Sequence, residues 1–254
     1  MKLCVLGSGS KGNATLIHSD SSAVLVDAGF SCREIESRLK SISFDPQKIN
    51  AILITHEHTD HLKGAPLFSR RYGIPIYLTE GTRLNANGEL GTTGQLETVS
   101  TERDFAVGDL EVHPFSIPHD AAEPVAYMVS NKGRRALVMT DLGHATVRVV
   151  EKTRMANLAM VESNHDPELL KIGPYPWFLK ERVGGRMGHL SNDDCMELLA
   201  NAGGDALSTV IFAHLSQQNN NPHLVRLNAD TLFAERKVTC EIASQDACGK
   251  IHEV

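Results

Sequence analysis

Ile52-Leu53-Ile54-Thr55-His56-Glu57-His58-Thr59-Asp60-His61 is the stretch on which the reading of this chain turns. Four β-favouring residues end at Thr55, and four metal-ligand side chains follow within six positions, spaced His-x-His-x-Asp-His. Buried strands read as apolar runs of this kind, and a polar cluster at the end of one sits where strand gives way to loop. Imidazole and carboxylate together suit zinc, manganese or iron. The plain alternative is a histidine-rich surface loop, since the chain has 12 histidines. The ordered spacing favours a metal site.

Further along the chain, other strands end on similar side chains. Leu110 to Phe115 alternates like a half-buried strand and leads through Ser116-Ile117-Pro118 to His119. His113 falls on the polar phase of that alternation and is expected to be exposed. Arg135 to Thr140 ends at Asp141, Leu158 to Val161 at Glu162-Ser163-Asn164-His165-Asp166, and Thr209 to Ala213 at His214. A ligand at the end of strand after strand is what a site along one rim of a sheet requires. Any of these residues taken singly would more often be structural.

The His56–His61 run resembles the signature of the metallo-β-lactamase superfamily. Ser163-Asn164-His165-Asp166, Gly188-His189-Leu190-Ser191-Asn192 and Ala213-His214-Leu215-Ser216 narrow the resemblance to the WalJ/YycJ branch of 5′→3′ exonucleases on double-stranded DNA. The resemblance implies an α/β protein (α+β in some schemes), a four-layer αββα sandwich. It implies two divalent metal ions, zinc or manganese. His56, His58 and His119 would hold one, Asp60, His61 and His214 the other, and Asp141 would bridge both. It further implies attack of a metal-bridging hydroxide on phosphorus. His189 would be the general acid, oriented by Glu162, so that catalytic roles fall to Asp60, His189 and Glu162. For His189 the plain alternative is a residue that caps or packs its helix. Asp27, in an Asp-x-Gly sequence, is expected to fix a loop. His165, Asn164, Ser191 and Arg186 are the candidate substrate contacts.

Composition sets the outer limits. At 254 residues with 41% hydrophobic and 22% charged residues, an ordinary soluble globular protein is expected. The helix and strand rhythm is unbroken by any linker, so residues 1–254 read as a single domain. The apolar start Leu3-Cys4-Val5-Leu6 is too short for a signal peptide and no run is long enough to span a bilayer, so a cytoplasmic location is expected. Five scattered cysteines without a C-x-x-C pair argue against a disulfide framework and a zinc knuckle. The net charge of −6 counts against a nucleic-acid partner, although a local basic groove can coexist with an acidic whole. Arg70-Arg71, Arg134-Arg135 and Lys180/Arg182/Arg186 are basic clusters, and the last, just upstream of His189, is placed along such a groove.

Among the remaining elements, Gly7-Ser8-Gly9-Ser10-Lys11-Gly12-Asn13 reads as a turn between two strands, and the resemblance implies that this loop lies near the metal centre, where it could contact substrate. Ser31-x-x-Glu34 is a capping box ahead of a helix to about Ser41. A strand is expected over Ile49 to Thr55, a helix over Leu62 to Tyr72, a surface loop over residues 85–103, and a helix over Pro174 to Arg182. Ser191 with Asp194 should cap the next helix. Val225 to Glu235 is expected as a helix and Val238 to Ile242 as the last strand.

The functional expectation is a phosphodiesterase acting on DNA, or RNA, at no membrane, as a monomer or a dimer. Two alternatives stand beside it. One is a small-molecule metallohydrolase, such as a cyclic phosphodiesterase or a glyoxalase-II-like thioesterase. The other is a non-catalytic metal-binding regulatory module, which the complete ligand set and His189 disfavour.

Overall fold

The computed structural model describes residues 1–86, 88–91 and 95–254, and its strands fall into two sheets of seven. Contacts divide the chain into two compact units: Met1–Ser116 with Ala121–Arg134 and Ser244–Val254, and Ile117–Asp120 with Arg135–Ala243.

The first unit opens with β1 (Lys2–Gly7), β2 (Ala14–His18) and β3 (Ala23–Val26), an antiparallel meander. Helix α1 (Cys32–Ser41) follows. Ser31 caps it by accepting from the Glu34 amide, and Ile35 and Leu39 are buried at helical spacing. Strand β4 is only Ala51–Leu53, shorter than the expected Ile49 to Thr55. At one end the Ile49 amide donates to Pro46 O, and at the other the Thr55 amide donates to the Asp27 carboxylate instead of a neighbouring strand. The helix expected over Leu62 to Tyr72 is two helices, α2 (Thr59–Leu62) and α3 (Ala65–Tyr72). They part at Gly64, whose amide donates to Ala28 O and where a Cβ would lie 1.9 Å from Phe30 O.

Strand β5 (Ile76–Thr79) starts immediately after Pro75 and pairs in parallel with β4 and with β6 (Leu96–Val99). Pro75 therefore marks a strand start, a position where its missing N–H is tolerated. Helix α4 (Glu80–Asn85) lies between them. The surface loop expected over residues 85–103 thus contains a strand. Leu-Glu-Thr-Val leaves three of its four residues at least partly exposed, which hid the pattern. Residues 87 and 92–94 of that loop lie outside the described residues.

The unit continues with β7 (Phe105–Val107), β8 (Leu110–Ser116) and β9 (Val125–Asn131), again antiparallel. His113 on β8 is only half-buried, and both its ring nitrogens face carboxylates, Asp104 and Glu102. On β9, the buried Tyr127 hydroxyl donates to Ile54 O at 2.9 Å, and the Val125 amide to Thr55 O at 3.0 Å, bracing the start of the histidine run from behind.

In the second unit β10 (Arg134–Met139), β11 (Leu158–Glu162), β12 (Thr209–Ala213) and β13 (Thr239–Ile242) are consecutive parallel strands. They are connected through α5 (Val147–Met155), α6 (Pro167–Ile172), α7 (Trp177–Val183), α8 (Asn192–Ala202) and α9 (Pro222–Leu232). Helix α6 had no expectation attached to it. Its signal is local: Asp166 accepts from the Glu168 and Leu169 amides, with Pro167 at the first helical position. Helix α7 starts three residues later than expected and ends one later, and α9 is shifted three residues toward the N-terminus. The last strand is β14 (His252–Glu253), which pairs with β1, and not β13. No helix among the described residues is long and apolar enough to cross a membrane.

One close approach in the first unit sets the position of Asp60. A Cβ on Gly29 would lie 1.6 Å from the Asp60 carbonyl oxygen, and the neighbouring Ala28 amide donates to His61 O at 2.8 Å. Gly29→Ala must push the Asp60–His61 turn away. The expected loss is about 3 kcal/mol of stability, the upper range for overpacking, together with weakened metal binding. Urea unfolding and metal titration measure the two effects.

Candidate metal centre

In the first unit the histidine run is fixed by the residue that ends β3. Asp27 has φ 59°, a left-handed conformation, so its buried carboxylate turns back toward the end of β4. Its Oδ1 accepts from the Thr55 amide at 2.9 Å and its Oδ2 from His61 Nδ1 at 2.7 Å. Burial pushes the Asp27 carboxyl up; the His61 ring and the Thr55 hydrogen bonds oppose this without cancelling it. The Thr55 hydroxyl donates to the same carboxylate and lies 3.0 Å from His56 Nδ1. Since the hydroxyl hydrogen is spent on Asp27, His56 Nδ1 is the donor in that contact. Both histidines thereby keep Nε2 as the lone-pair nitrogen, which suits metal ligation.

The ring of His56 lies 4.6 Å from that of His58 and 4.1 Å from that of His61. Ligand atoms of Asp60 and His61 come within 4.8 Å of each other. The expected loop-fixing role of Asp27 thus takes a definite form: it selects the tautomer of His61.

Asn13 is a contributor that the sequence reading passed over. Its side-chain oxygen accepts from Ser8 Oγ at 2.9 Å and the Gly9 amide at 3.0 Å. Its Nδ2 lies 3.3 Å from Asp60 Oδ2 and 3.0 Å from His61 Nε2. The glycine-rich turn therefore presents one amide to two of the candidate ligands. The available signal was an asparagine closing a glycine loop just before a strand.

In the second unit the parallel strands β10, β11 and β12 deliver Asp141, Glu162 and His214 at or just after their C-terminal ends, the rim where parallel sheets bind ligands. Asp141 and His214 have φ 57° and 55°, so both side chains leave the strand direction. Ligand atoms of Asp141, Glu162, His189 and His214 all lie within 4.8 Å of one another. His119 Nε2 stands 3.8 Å from Asp141 Oδ1, while its Nδ1 donates to Gly188 O at 3.1 Å and leaves Nε2 as the ligating nitrogen. Burial lowers the basicity of His119, with Asp141 opposing, which favours the neutral ring that binds metal.

Glu162 is the centre of this half. Its Oε1 accepts from His214 Nδ1 at 2.7 Å and from His189 Nδ1 at 3.0 Å. Its Oε2 accepts from the Leu142 and Leu190 amides at 2.8 and 3.0 Å. Burial alone would raise its carboxyl; the charge of His189 and hydrogen bonds from His189 and His214 outweigh burial and hold it at about 2. For His189 burial would lower the value, but the Glu162 charge and hydrogen bond and the Asp141 charge raise it overall.

The candidate substrate contacts divide. Asn164 Nδ2 donates to His214 O at 2.7 Å and so steadies the left-handed turn that carries His214. Ser191 is the N-cap of α8 and donates to Asp194 Oδ2 at 2.6 Å. Both side chains are engaged inside the protein. His165 is buried, and its Nδ1 has no hydrogen-bond partner. Arg186 is exposed and lies 3.1 Å from His144 Nε2, beside a cavity of about 480 Å³ lined by Gly143, Asp194 and Glu197.

The donor set fits divalent metal ions. His61 and His214 donate Nδ1 to carboxylates and His119 to a carbonyl, the outer hydrogen bonds that orient metal-binding imidazoles.

Comparison with known proteins places this geometry. The model of the Beta-lactamase superfamily domain matches residues 22–215. The chain is 36% identical over 234 residues to the Exodeoxyribonuclease YycJ of Bacillus anthracis, covering 91% of this chain and 89% of that protein. It is 34% identical over 238 residues to the Exodeoxyribonuclease WalJ of Streptococcus pneumoniae, covering 92% and 88%. Among solved structures, the metallo-β-lactamase fold protein YhfI from Bacillus subtilis superposes with a TM-score of 0.76 at 15% identity, covering 99% of each chain. Zn²⁺-bound PqqB from Methylobacterium extorquens gives 0.76 at 17% identity over the full length of both. These two likenesses establish the fold as two mixed sheets flanked by helices, the αββα sandwich expected from the sequence.

Proposed function

Because the chain belongs to the metallo-β-lactamase superfamily, in its YycJ/WalJ-like branch, we propose that it is a metal-dependent phosphodiesterase that degrades double-stranded DNA from its 5′ ends. The pairing of His189 with Glu162 carries this reading, because it gives the site a proton donor as well as ligands. Residues 1–254 would act as a single domain in the cytoplasm.

Two divalent ions, zinc or manganese, would be held by His56, His58 and His119 and by Asp60, His61 and His214, with Asp141 shared. Bound there, they would supply Lewis acidity and lower the pKa of water. The chain's own groups do the rest. Asp27, Thr55 and Gly188 O present Nε2 of their histidines. Asp60, a quarter exposed and beside Asn13, would orient the attacking water. His189, with Nδ1 tied to Glu162, would offer the Nε2 proton to the departing alcohol oxygen. The Glu162 charge and hydrogen bond raise the basicity of His189 in the metal-free protein.

The test uses 5′-labelled duplex DNA, the matching RNA, bis-(p-nitrophenyl) phosphate and a thioester, each with and without chelator. Chelator-sensitive release of nucleotides from DNA 5′ ends, restored by adding back zinc or manganese, is the expected result. Turnover of the small esters alone would assign the protein to small-molecule hydrolysis instead, and inertness toward all four would leave a metal-binding module. Adding the metal back should also raise the melting temperature, since ligands that bind only the folded state stabilise it.

A further inference from the structure

Two large aromatic side chains stand in solvent on the helix that leads to His189. Trp177, the chain's one tryptophan, is 72% exposed, and Phe178 is 71% exposed. Ile172 and Met187, at the two ends of the same segment, are exposed as well. Residues 167–188 also carry four basic residues, Lys171, Lys180, Arg182 and Arg186, against two acidic ones, Glu168 and Glu181, in a chain whose net charge is −6. An aromatic pair among basic residues is the composition of a surface that stacks bases and follows a phosphate backbone.

The segment is joined directly to the candidate centre of the second unit. The His189 amide donates to Val183 O at the end of α7, at 2.8 Å. Arg182 Nε donates to Asp120, next to His119, at 2.5 Å. A Cβ on Gly188 would lie 2.1 Å from Arg182 O, so the helix end and the His189 loop are in backbone contact. At about 1.5 Å rise per residue, Trp177 to Val183 spans about 9 Å, or two to three stacked bases at about 3.4 Å each.

We propose that Trp177 and Phe178 form a stacking platform for the bases of the DNA strand whose phosphate is presented to His189, with the basic residues of the same segment supplying charge for its backbone. This rests on the phosphodiesterase reading and adds the surface that holds the strand. Stacking accepts every base, which suits an enzyme that must digest any sequence. A second copy of the chain is the less suitable occupant, because an isologous contact would set the same basic residues against each other.

Because Trp177 is the sole tryptophan, its fluorescence reports the platform alone. The wild-type holoenzyme is titrated with a phosphorothioate DNA strand, which resists cleavage, and with an abasic strand of equal length. The expected result is saturable quenching by the base-bearing strand and binding at least about tenfold weaker for the abasic one. The double variant Trp177→Ala/Phe178→Ala, which has no tryptophan and is followed like the conservative variant by the anisotropy of dye-labelled strands, should lose that discrimination and raise KM for DNA by a similar factor. Trp177→Phe/Phe178→Tyr should keep both. If wild type degrades DNA but neither strand quenches Trp177 and the double variant keeps its KM, the platform is wrong while the phosphodiesterase reading stands. If wild type degrades no DNA yet quenching requires bases, the platform stands and that reading falls. A dimer in sedimentation that the double variant abolishes would give the surface to a second copy and overturn the proposal.

Discussion

Glu162→Gln should cost this protein both its metal and its activity. The carboxylate accepts four hydrogen bonds, two from ring nitrogens and two from backbone amides. A glutamine has one oxygen and one NH₂ group. If its oxygen faces the Leu142 and Leu190 amides, the NH₂ must donate to His189 and His214, and each ring must then carry its proton on Nε2. A histidine protonated at Nε2 does not ligate through it, so the proposed ligand His214 would be lost. In the opposite orientation the NH₂ meets two amide N–H groups and leaves them unsatisfied in the interior, at about 1–3 kcal/mol each.

Loss of an outer partner of a metal ligand typically weakens affinity about 10–100-fold, and here one substitution disturbs a ligand and the proton donor together. Metal titration by calorimetry should register at least that loss, and the rate on DNA should fall below that of any variant of His189 alone. The pH dependence of stability follows from the same contacts. Glu162 is held at about 2 against an ordinary 4.5, so its contribution is complete above 4.5 and is lost as the pH falls toward 2. His189 is raised from an ordinary 6.5, so its contribution is complete below 6.5 and is lost as the pH rises through the higher folded value. Between those limits the metal-free protein gains both, and Glu162→Gln should flatten its unfolding profile there.

His189→Ala separates chemistry from metal binding. The side chain is bound to Glu162 and is not among the proposed ligands, so the variant should keep its metal content. Its rate on DNA should fall by about two to four orders of magnitude, the range for a positioned general acid. Bis-(p-nitrophenyl) phosphate provides the contrast, because its leaving group departs as a stable anion and needs no proton. On that ester the same variant should lose tenfold at most. Equal losses on DNA and the ester would remove the proton-donor assignment, and a loss of metal would make His189 a ligand.

Local patterns in the sequence pointed to the candidate ligands but not to most of the groups that orient them. The His56–His61 run is dense enough to read without context. His119, Asp141 and His214 could be read because each follows an apolar strand in short order. Asp27 could be assigned a loop-fixing role, yet its choice of His61, 34 positions away, leaves no trace in local pattern. Asn13 was read as part of a turn because its contact with Asp60 spans 47 positions. Ser191 and Asn164 are candidate substrate contacts from their place in a motif; their bonds to Asp194 and to the His214 carbonyl could not be read from it. Elements of four residues or fewer, such as β6 and β14, offer too little periodicity to stand out from a loop.

Asp27, Asp141 and His214 all occupy left-handed backbone conformations, which cost an ordinary residue about 1–3 kcal/mol each. Glycine would relieve that strain at every one of them and would abolish the side chain that the site needs. Strain and chemistry are therefore coupled at three positions, one in the first unit and two in the second. At Asp27 glycine would also take from the Thr55 amide and the His61 ring their buried acceptor, at about 1–3 kcal/mol each, so the strain there is kept together with the hydrogen bonds it makes possible.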